Sequence, residues 1–394
     1  MALILLWTNT IKMKDLLISQ EEDLLKIYLI EDKKLVEYYE EELDYNSIEG
    51  NIYVGKVQNV VPGLEAAFIN IGEDKNAFIH RKDLLNYSED LPINKIIRPG
   101  ERILVQVIKD KVQRKGAKVS EKLSLRGRLI VLHPNRSFIT VSSKIKDETK
   151  KKELKTILKE MLPKGMGAIA RTSSEFASKE ELEEDLKLLL SRWKYVQNTA
   201  VEEYPKKIYD TGGILNKIII DLSNSNLDKI VVNSQDLKND VEEILNQIGG
   251  KINIEITDIE YNYMYNISNE MHKLEKNKIW LDSGGFITID PTEALTAIDV
   301  NTGKFIGKKN LEDTIYKVNE EAVLEIAKQL RLRDIGGIII IDFIDMDTQE
   351  DMENIILKFK EEALKDRSKV QIEGFTRLNL LELTRKRMYI KEND

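Results

Sequence analysis

Leu25, Ile27 and Leu29 fall on every second position of the chain, and Glu31-Asp32-Lys33 follow as a polar break. Side chains leave a strand alternately to its two faces, so the DLLIS stretch and KIYLIEDKKLVEYYEE predict strand, turn and strand within 13–46. From 49 to 85 the apolar runs shorten and are broken by Gly50, Gly55, Pro62-Gly63 and Gly72, and ERILVQVIKD follows at 101–110. Short strands at close spacing with glycine turns predict a small barrel. LSLRGRLIVLHPNRSFITVSSK adds two strands, a lysine-rich amphipathic helix covers 147–161, and MGAIARTSS (166–174) is a strand ending in small polar residues. Ser178 and the glutamates behind it supply the cap and first-turn acids of a helix over 178–200.

Two β/α alternations fill 215–278. The last third then reads IWLDSGGFITIDPTEALTAIDVNTG, a helix over 311–333, GGIIIIDFIDM, and a helix near 347–366. Apolar strands that end in acids and flank a long crossover helix form a βαβ unit, with function expected at the carboxyl ends of the strands. The fold class is therefore α/β and multidomain, as 394 residues allow.

Composition mostly excludes. There is no cysteine, which rules out disulfides, thiol catalysis and cysteine-ligated metals. His80, His133 and His272 are scattered, so a histidine-centred site is not expected. No apolar run approaches the ~20 residues of a membrane span, and the start lacks the features of a secretory signal. A cytoplasmic protein without membrane association is expected. The net charge of −8 hides segregation: 109–155 holds fifteen Lys/Arg against five Asp/Glu, and 19–49 eleven acids against three bases. A basic belt on an acidic body suits a polyanion, although solvated lysine-rich helices give the same count.

Three groups of residues carry candidate chemistry. Aspartate within an apolar β-run is costly to bury unless paired or bound to a cation. Asp299 and Asn301 share a strand face, Asp342 follows four isoleucines, and Asp345 sits in the adjoining turn. Convergent hard oxygens suit Mg²⁺ or Mn²⁺, but the same aspartates serve equally as turn formers and helix caps. Phe68 and Phe78 lie among small residues near Lys56, His80, Arg81, Lys111, Arg114 and Lys115. They suit base stacking on a barrel or packing in its core. Arg171-Thr172 at a strand end forms either a phosphate pocket or a surface arginine beside a capping threonine.

The stretch AIDVNTGKFIGKKNLEDTIYKVNEEAVLEIAKQLRLRDIGGIIIIDFIDM resembles the catalytic domain of the ribonuclease E/G family. GNIYVGKVQNVVPGLEAAFINIGEDKNAFI resembles that family's S1 barrel, KGMGAIARTSS its 5′-monophosphate sensor, and LELTRKR the end of its nuclease domain. The resemblance implies an RNase H-like subdomain (13–46 and 215–278) interrupted by an S1, OB-type β-barrel (47–118) and a 5′-sensor (119–214). A DNase I-like nuclease subdomain (279–394) follows, and 1–12 is an extension without counterpart. It implies that Asp299 and Asp342 are magnesium ligands, that Asn301 orients the scissile phosphate, and that Lys369 replaces an arginine near the active site. It implies that Phe68, Phe78 and Lys115 contact RNA. Arg171 and Thr172 would grip a 5′-monophosphate in a pocket lined by Gly127 and Val131.

The implied activity is Mg²⁺-dependent endonucleolytic cleavage of single-stranded, A/U-rich RNA with 5′-monophosphorylated ends, in rRNA and tRNA processing and mRNA decay. The rival is a non-catalytic RNA-binding protein on the same scaffold. Family members carry a paired-cysteine zinc link after the TRKR segment and then a small dimerising domain. Here no cysteine exists and Asp394 ends the sequence, so no zinc and a monomer or weak homodimer are expected. GAKVSEKLS after Lys115 also departs from the family pattern.

Overall fold

The computed structural model describes residues 13–43, 47–111, 115–200, 204–223, 227–257, 265–303 and 311–388, for 311–314 without side chains. The expected extension 1–12, Arg114 and the last six residues lie outside the described residues. Contacts divide the chain into two compact units. One is Met1–Glu40, Lys229–Ser234 and Glu255–Lys391, and the other takes most of the sequence between them.

The first unit opens with an antiparallel meander, Lys14–Glu21, Leu24–Glu31 and Lys34–Glu42. DLLIS thus forms its own strand ahead of the strand–turn–strand pattern. Asp32 and Lys33 both take positive φ (50° and 64°), the conformation a tight hairpin turn demands. Lys229–Val232 joins this sheet parallel to Lys14–Glu21, with Leu16 opposite Ile230.

The same unit carries a six-stranded sheet in the order Lys278–Trp280, Phe286–Pro291, Leu295–Asn301, Gly337–Asp342, Leu380–Arg385, Val370–Phe375. Leu295–Asn301 and Gly337–Asp342 run parallel, joined by the crossover helix Leu311–Leu332. Ile287, Ile289, Ile298, Val300, Ile339, Ile341, Leu381 and Leu383 all point to one face. There they pack on Val318, Val323 and Ile326 of that helix and on Ile355 and Phe359 of the helix Gln349–Ala363. Burying each such side chain stabilises by about 1.5–3 kcal/mol. The alternate residues, Thr288, Asp299, Asn301 and Asp342 among them, point to the other face and keep solvent access. Buried Arg385 anchors the end of Leu380–Arg385 through Asp366 and Asp334, each at 2.7 Å.

The second unit contains the expected barrel. Ile52–Val61, Ala66–Asn70, Ala77–His80, Lys118–Ser120 and Arg102–Lys109 pair in that order, and the last closes back on the first. Val57, Ala67, Ile69, Ala77, Ile79, Val105, Val107 and Val119 fill it. Lys206–Tyr209, a strand from outside the expected barrel segment, extends its sheet along Ile52–Val61.

A four-stranded sheet follows, ordered Ile139–Val141, Gly167–Ala170, Ile130–His133, Leu125–Arg126. The stretch read as two strands thus holds three, because Gly127 and Pro134-Asn135 each break it. Helix Glu148–Met161 is capped by Asp147, which accepts from Thr149 and Lys150. Helix Lys179–Thr199 begins with a capping box between Ser178 and Glu181. The α/β alternation continues through Gly213–Leu222, Lys229–Val232, Gln235–Ile248 and Asn253–Ile256. Among the described residues no helix is long and apolar enough to cross a membrane.

Candidate functional site

The two parallel strands set the acidic pair. Their register runs Leu295 to Ile338, Thr296 to Ile339, Ala297 to Ile340, Ile298 to Ile341, and ends with Asp299 opposite Asp342. Cross-strand partners point to the same face, so both carboxylates leave the side of the sheet away from the helices. Asn301, one turn of the pleat further on, joins them and donates its Nδ2 hydrogen to Asp299 Oδ2. Burial, then the nearby Asp299 and Asp345 charges, raise the Asp342 carboxyl above its ordinary range. Such a site favours a proton or a cation.

Local features hold this end of the sheet in place. Asn319 of the crossover helix is wholly buried and clamps the backbone of Ile344, donating to its carbonyl at 2.8 Å and accepting from its N–H at 3.1 Å. Gly303 has φ +62°, and a Cβ there would lie 2.4 Å from the carbonyl oxygen of Gly284. Only glycine lets the chain leave Asn301 this close to the neighbouring loop. Among the described residues, no three His, Cys, Asp or Glu side chains converge as a metal cluster. Two carboxylates still fit a hard divalent ion whose other ligands are water and phosphate oxygens.

Lys369 does not join them. Val370 pairs with Arg385, which pairs with Gly337, so Lys369 borders the opposite end of the sheet from Asp342. Five residues of strand put it roughly 17 Å from the pair along the strand direction. Lys369 lies just before the strand Val370–Phe375, at the end of the hairpin away from Asp299 and Asp342.

On the barrel, Phe68 and Phe78 are cross-strand partners, edge to face with ring centroids 6.1 Å apart. Both are half-buried on the outer surface, because Ala67, Ile69, Ala77 and Ile79 occupy the alternate, inward positions. The core alternative for these rings is therefore excluded. Phe78 also pairs with Lys118, and Lys56 and Lys115 are exposed. Arg81 serves structure instead, held by Glu65 at 2.9 Å and by the carbonyl of Leu91 at 2.8 Å. His80 accepts from the N–H of Lys82.

Arg171 ends the strand Gly167–Ala170 with its guanidinium on the Gly127 carbonyl, 2.7 Å away, and on the Asp221 carboxylate. The hydroxyls of Thr172 and Ser142 lie 2.9 Å apart. Buried Asp185 accepts from the N–H groups of Arg128, Leu129 and Ile130 at 2.8–2.9 Å. A Cβ at position 127 would meet Asp185 Oδ2 at 2.5 Å, which accounts for Gly127. Val131 is half-buried in the adjacent strand, opposite Arg126 and Ile169. The structure thus brings Gly127, Arg171 and Thr172 together. Asp221, which engages the arginine, carried no signal in the sequence. Asn319 was equally silent, although an asparagine at an apolar helix position is a polar group that needs partners.

The sequence model of the ribonuclease E/G family matches residues 124–388, and that of the S1 RNA binding domain matches 47–122. Ribonuclease G of Haemophilus influenzae is 35% identical over 390 residues, covering 95% of this chain and 79% of its own. Ribonuclease G of Escherichia coli is 33% identical over 389 residues, covering 95% and 80%. Ribonuclease E of Synechocystis is 35% identical over 354 residues, covering 86% of this chain and 52% of its own. These matches run through the barrel, the Arg171 sheet and the strands bearing Asp299 and Asp342, and by them the chain belongs to the ribonuclease E/G family.

Proposed function

We propose that this chain, an endoribonuclease, uses Asp299 and Asp342 to hold a divalent cation, Mg²⁺ or Mn²⁺, and hydrolyses single-stranded, A/U-rich RNA. The observation that carries the reading is the register: parallel pairing sets two carboxylates opposite each other on a face with solvent access. Burial first, and then the like charges of Asp299 and Asp345, disfavour the charged Asp342 carboxylate, and a cation between the pair would offset that cost. A divalent ion bound there lowers the pKa of a water and offsets charge on phosphate oxygens.

The chain's own groups do the rest. Asp299 and Asp342 fix the position at which phosphorus is attacked, and Asn301 orients Asp299 and the scissile phosphate. Hydrolysis breaks the P–O3′ bond and leaves 5′-phosphate and 3′-hydroxyl ends. Phe68 and Phe78 stack bases while Lys115 contributes charge to the backbone. Arg171 and Thr172, beside Gly127 and Val131, take a 5′-terminal monophosphate through charge-assisted bonds. Such an enzyme serves rRNA and tRNA processing and mRNA decay.

Incubation of the protein with a 5′-monophosphorylated A/U-rich oligonucleotide tests the reading. Cleavage is expected with Mg²⁺, none after its chelation, and slower cleavage of the 5′-hydroxyl form. Tight RNA binding with no cleavage under any divalent cation contradicts it and favours the non-catalytic alternative.

A further inference from the structure

The face that carries the acidic pair extends to the sheet's edge, where it presents aromatic rings instead of acids. Register fixes two rows. Lys278, Thr288, Asp299 and Asp342 are successive cross-strand partners, and so are Trp280, Phe286 and Asn301. All seven side chains therefore leave the same face. Trp280 is 62% exposed on the edge strand, a position that normally invites aggregation and that proteins tend to protect. Phe286 supports it edge-on, with ring centroids 5.3 Å apart at 62°. The Lys278 ammonium lies 3.4 Å from the Phe286 ring centre and 4.6 Å from that of Trp280.

We infer that Trp280, backed by Phe286 and with Lys278 beside it, is a stacking subsite for a nucleobase one or two positions from the scissile phosphate. Trp280 lies two strands from Asn301, about 10 Å, so RNA seated on the acidic pair reaches it without distortion of the sheet. An exposed indole with an adjoining ammonium is the arrangement that takes a base and its phosphate together. Stacking accepts every base but favours the larger π-face, so the subsite prefers adenine to uracil at that one position and shapes where an A/U-rich strand is cut. The inference rests on the proposal that cleavage occurs at Asp299 and Asp342.

The test uses single-cut oligonucleotides bearing adenine, uracil or an abasic residue at each of the two positions on either side of the cleavage site. With the wild-type protein, the abasic residue at one position lowers kcat/KM by roughly five- to hundred-fold, with uracil between. Trp280→Ala loses a similar factor on the intact substrate and no longer distinguishes the three, while Trp280→Phe restores the discrimination. In a chelator, an uncut oligonucleotide quenches tryptophan emission in the wild type but not in Trp280→Phe. Because quenching needs no cation, it supports the subsite even where Asp299→Asn leaves cleavage intact, a result that would overturn the metal assignment alone. Full discrimination at every position in Trp280→Ala overturns the subsite. So does a loss of activity in that variant that tracks a change in oligomeric state, which would make the aromatic edge a protein interface.

Discussion

Arg171 is engaged by the Gly127 carbonyl and the Asp221 carboxylate. A terminal phosphate bound there, as proposed, would have to displace or share those partners, and a dianion competes with a carboxylate where a hydroxyl cannot. Arg171→Ala is therefore expected to abolish any advantage of 5′-monophosphorylated over 5′-hydroxyl RNA while leaving basal cleavage in place. Initial rates on the two substrates check it, and a preference that survives places the phosphate elsewhere. His133 gives a second expectation. Burial, opposed by its bond to the Leu123 carbonyl and aided by Arg136, holds its pKa below the ordinary 6.5. The unfolded chain then takes up a proton that the folded chain refuses. The stabilising contribution is present above pH 6.5 and is lost as pH falls toward the folded value. Melting temperatures from pH 7.5 down to 5 should show this slope, and His133→Asn should flatten it. An unchanged slope in the variant assigns the pH dependence to other groups.

Elements were legible where periodicity and capping spoke for themselves. Asp147 and Ser178 announce their helices, and the barrel follows from glycine-broken β-runs. Pairing was not legible, because a sequence states which residues lie on a strand but not which residue lies opposite. Asp299 and Asp342 were both visible as strand acids, while their register emerges only from the folded sheet. The same gap hid the position of Lys369, which precedes a strand that runs antiparallel to its neighbour. Alternation with Ala67, Ile69, Ala77 and Ile79 did contain the outward aim of Phe68 and Phe78, and applying it to KIW and FIT finds Trp280 and Phe286 as well. Phe68→Ala and Phe78→Ala should each weaken binding of single-stranded RNA by about 1–3 kcal/mol. Their melting temperatures should move little, since neither ring fills the core. Fluorescence anisotropy with a labelled oligonucleotide measures the first effect. Unaltered affinity in both variants would remove the barrel face from the RNA-contacting surface.

At the scale of the whole molecule, the candidate sites fall in two compact units. One holds the acidic pair and the aromatic edge, and the other the barrel and the Arg171 cluster. If the barrel and the Arg171 cluster hold RNA and the acidic pair cuts it, as proposed, loss of cleavage and loss of barrel binding should separate by mutation. Asp299→Asn and Asp342→Asn each remove one charge at nearly constant volume from a surface with solvent access, and the fold should survive both. The most direct measurement is single-turnover cleavage of one oligonucleotide at saturating Mg²⁺ by the parent, the two single variants and the double variant. Each single variant should fall by about 100-fold or more, and the double variant no further, because groups that act as one unit lose their effect together. RNA affinity should be retained throughout. Parental cleavage rates in either single variant would contradict the assignment of the catalytic cation to Asp299 and Asp342.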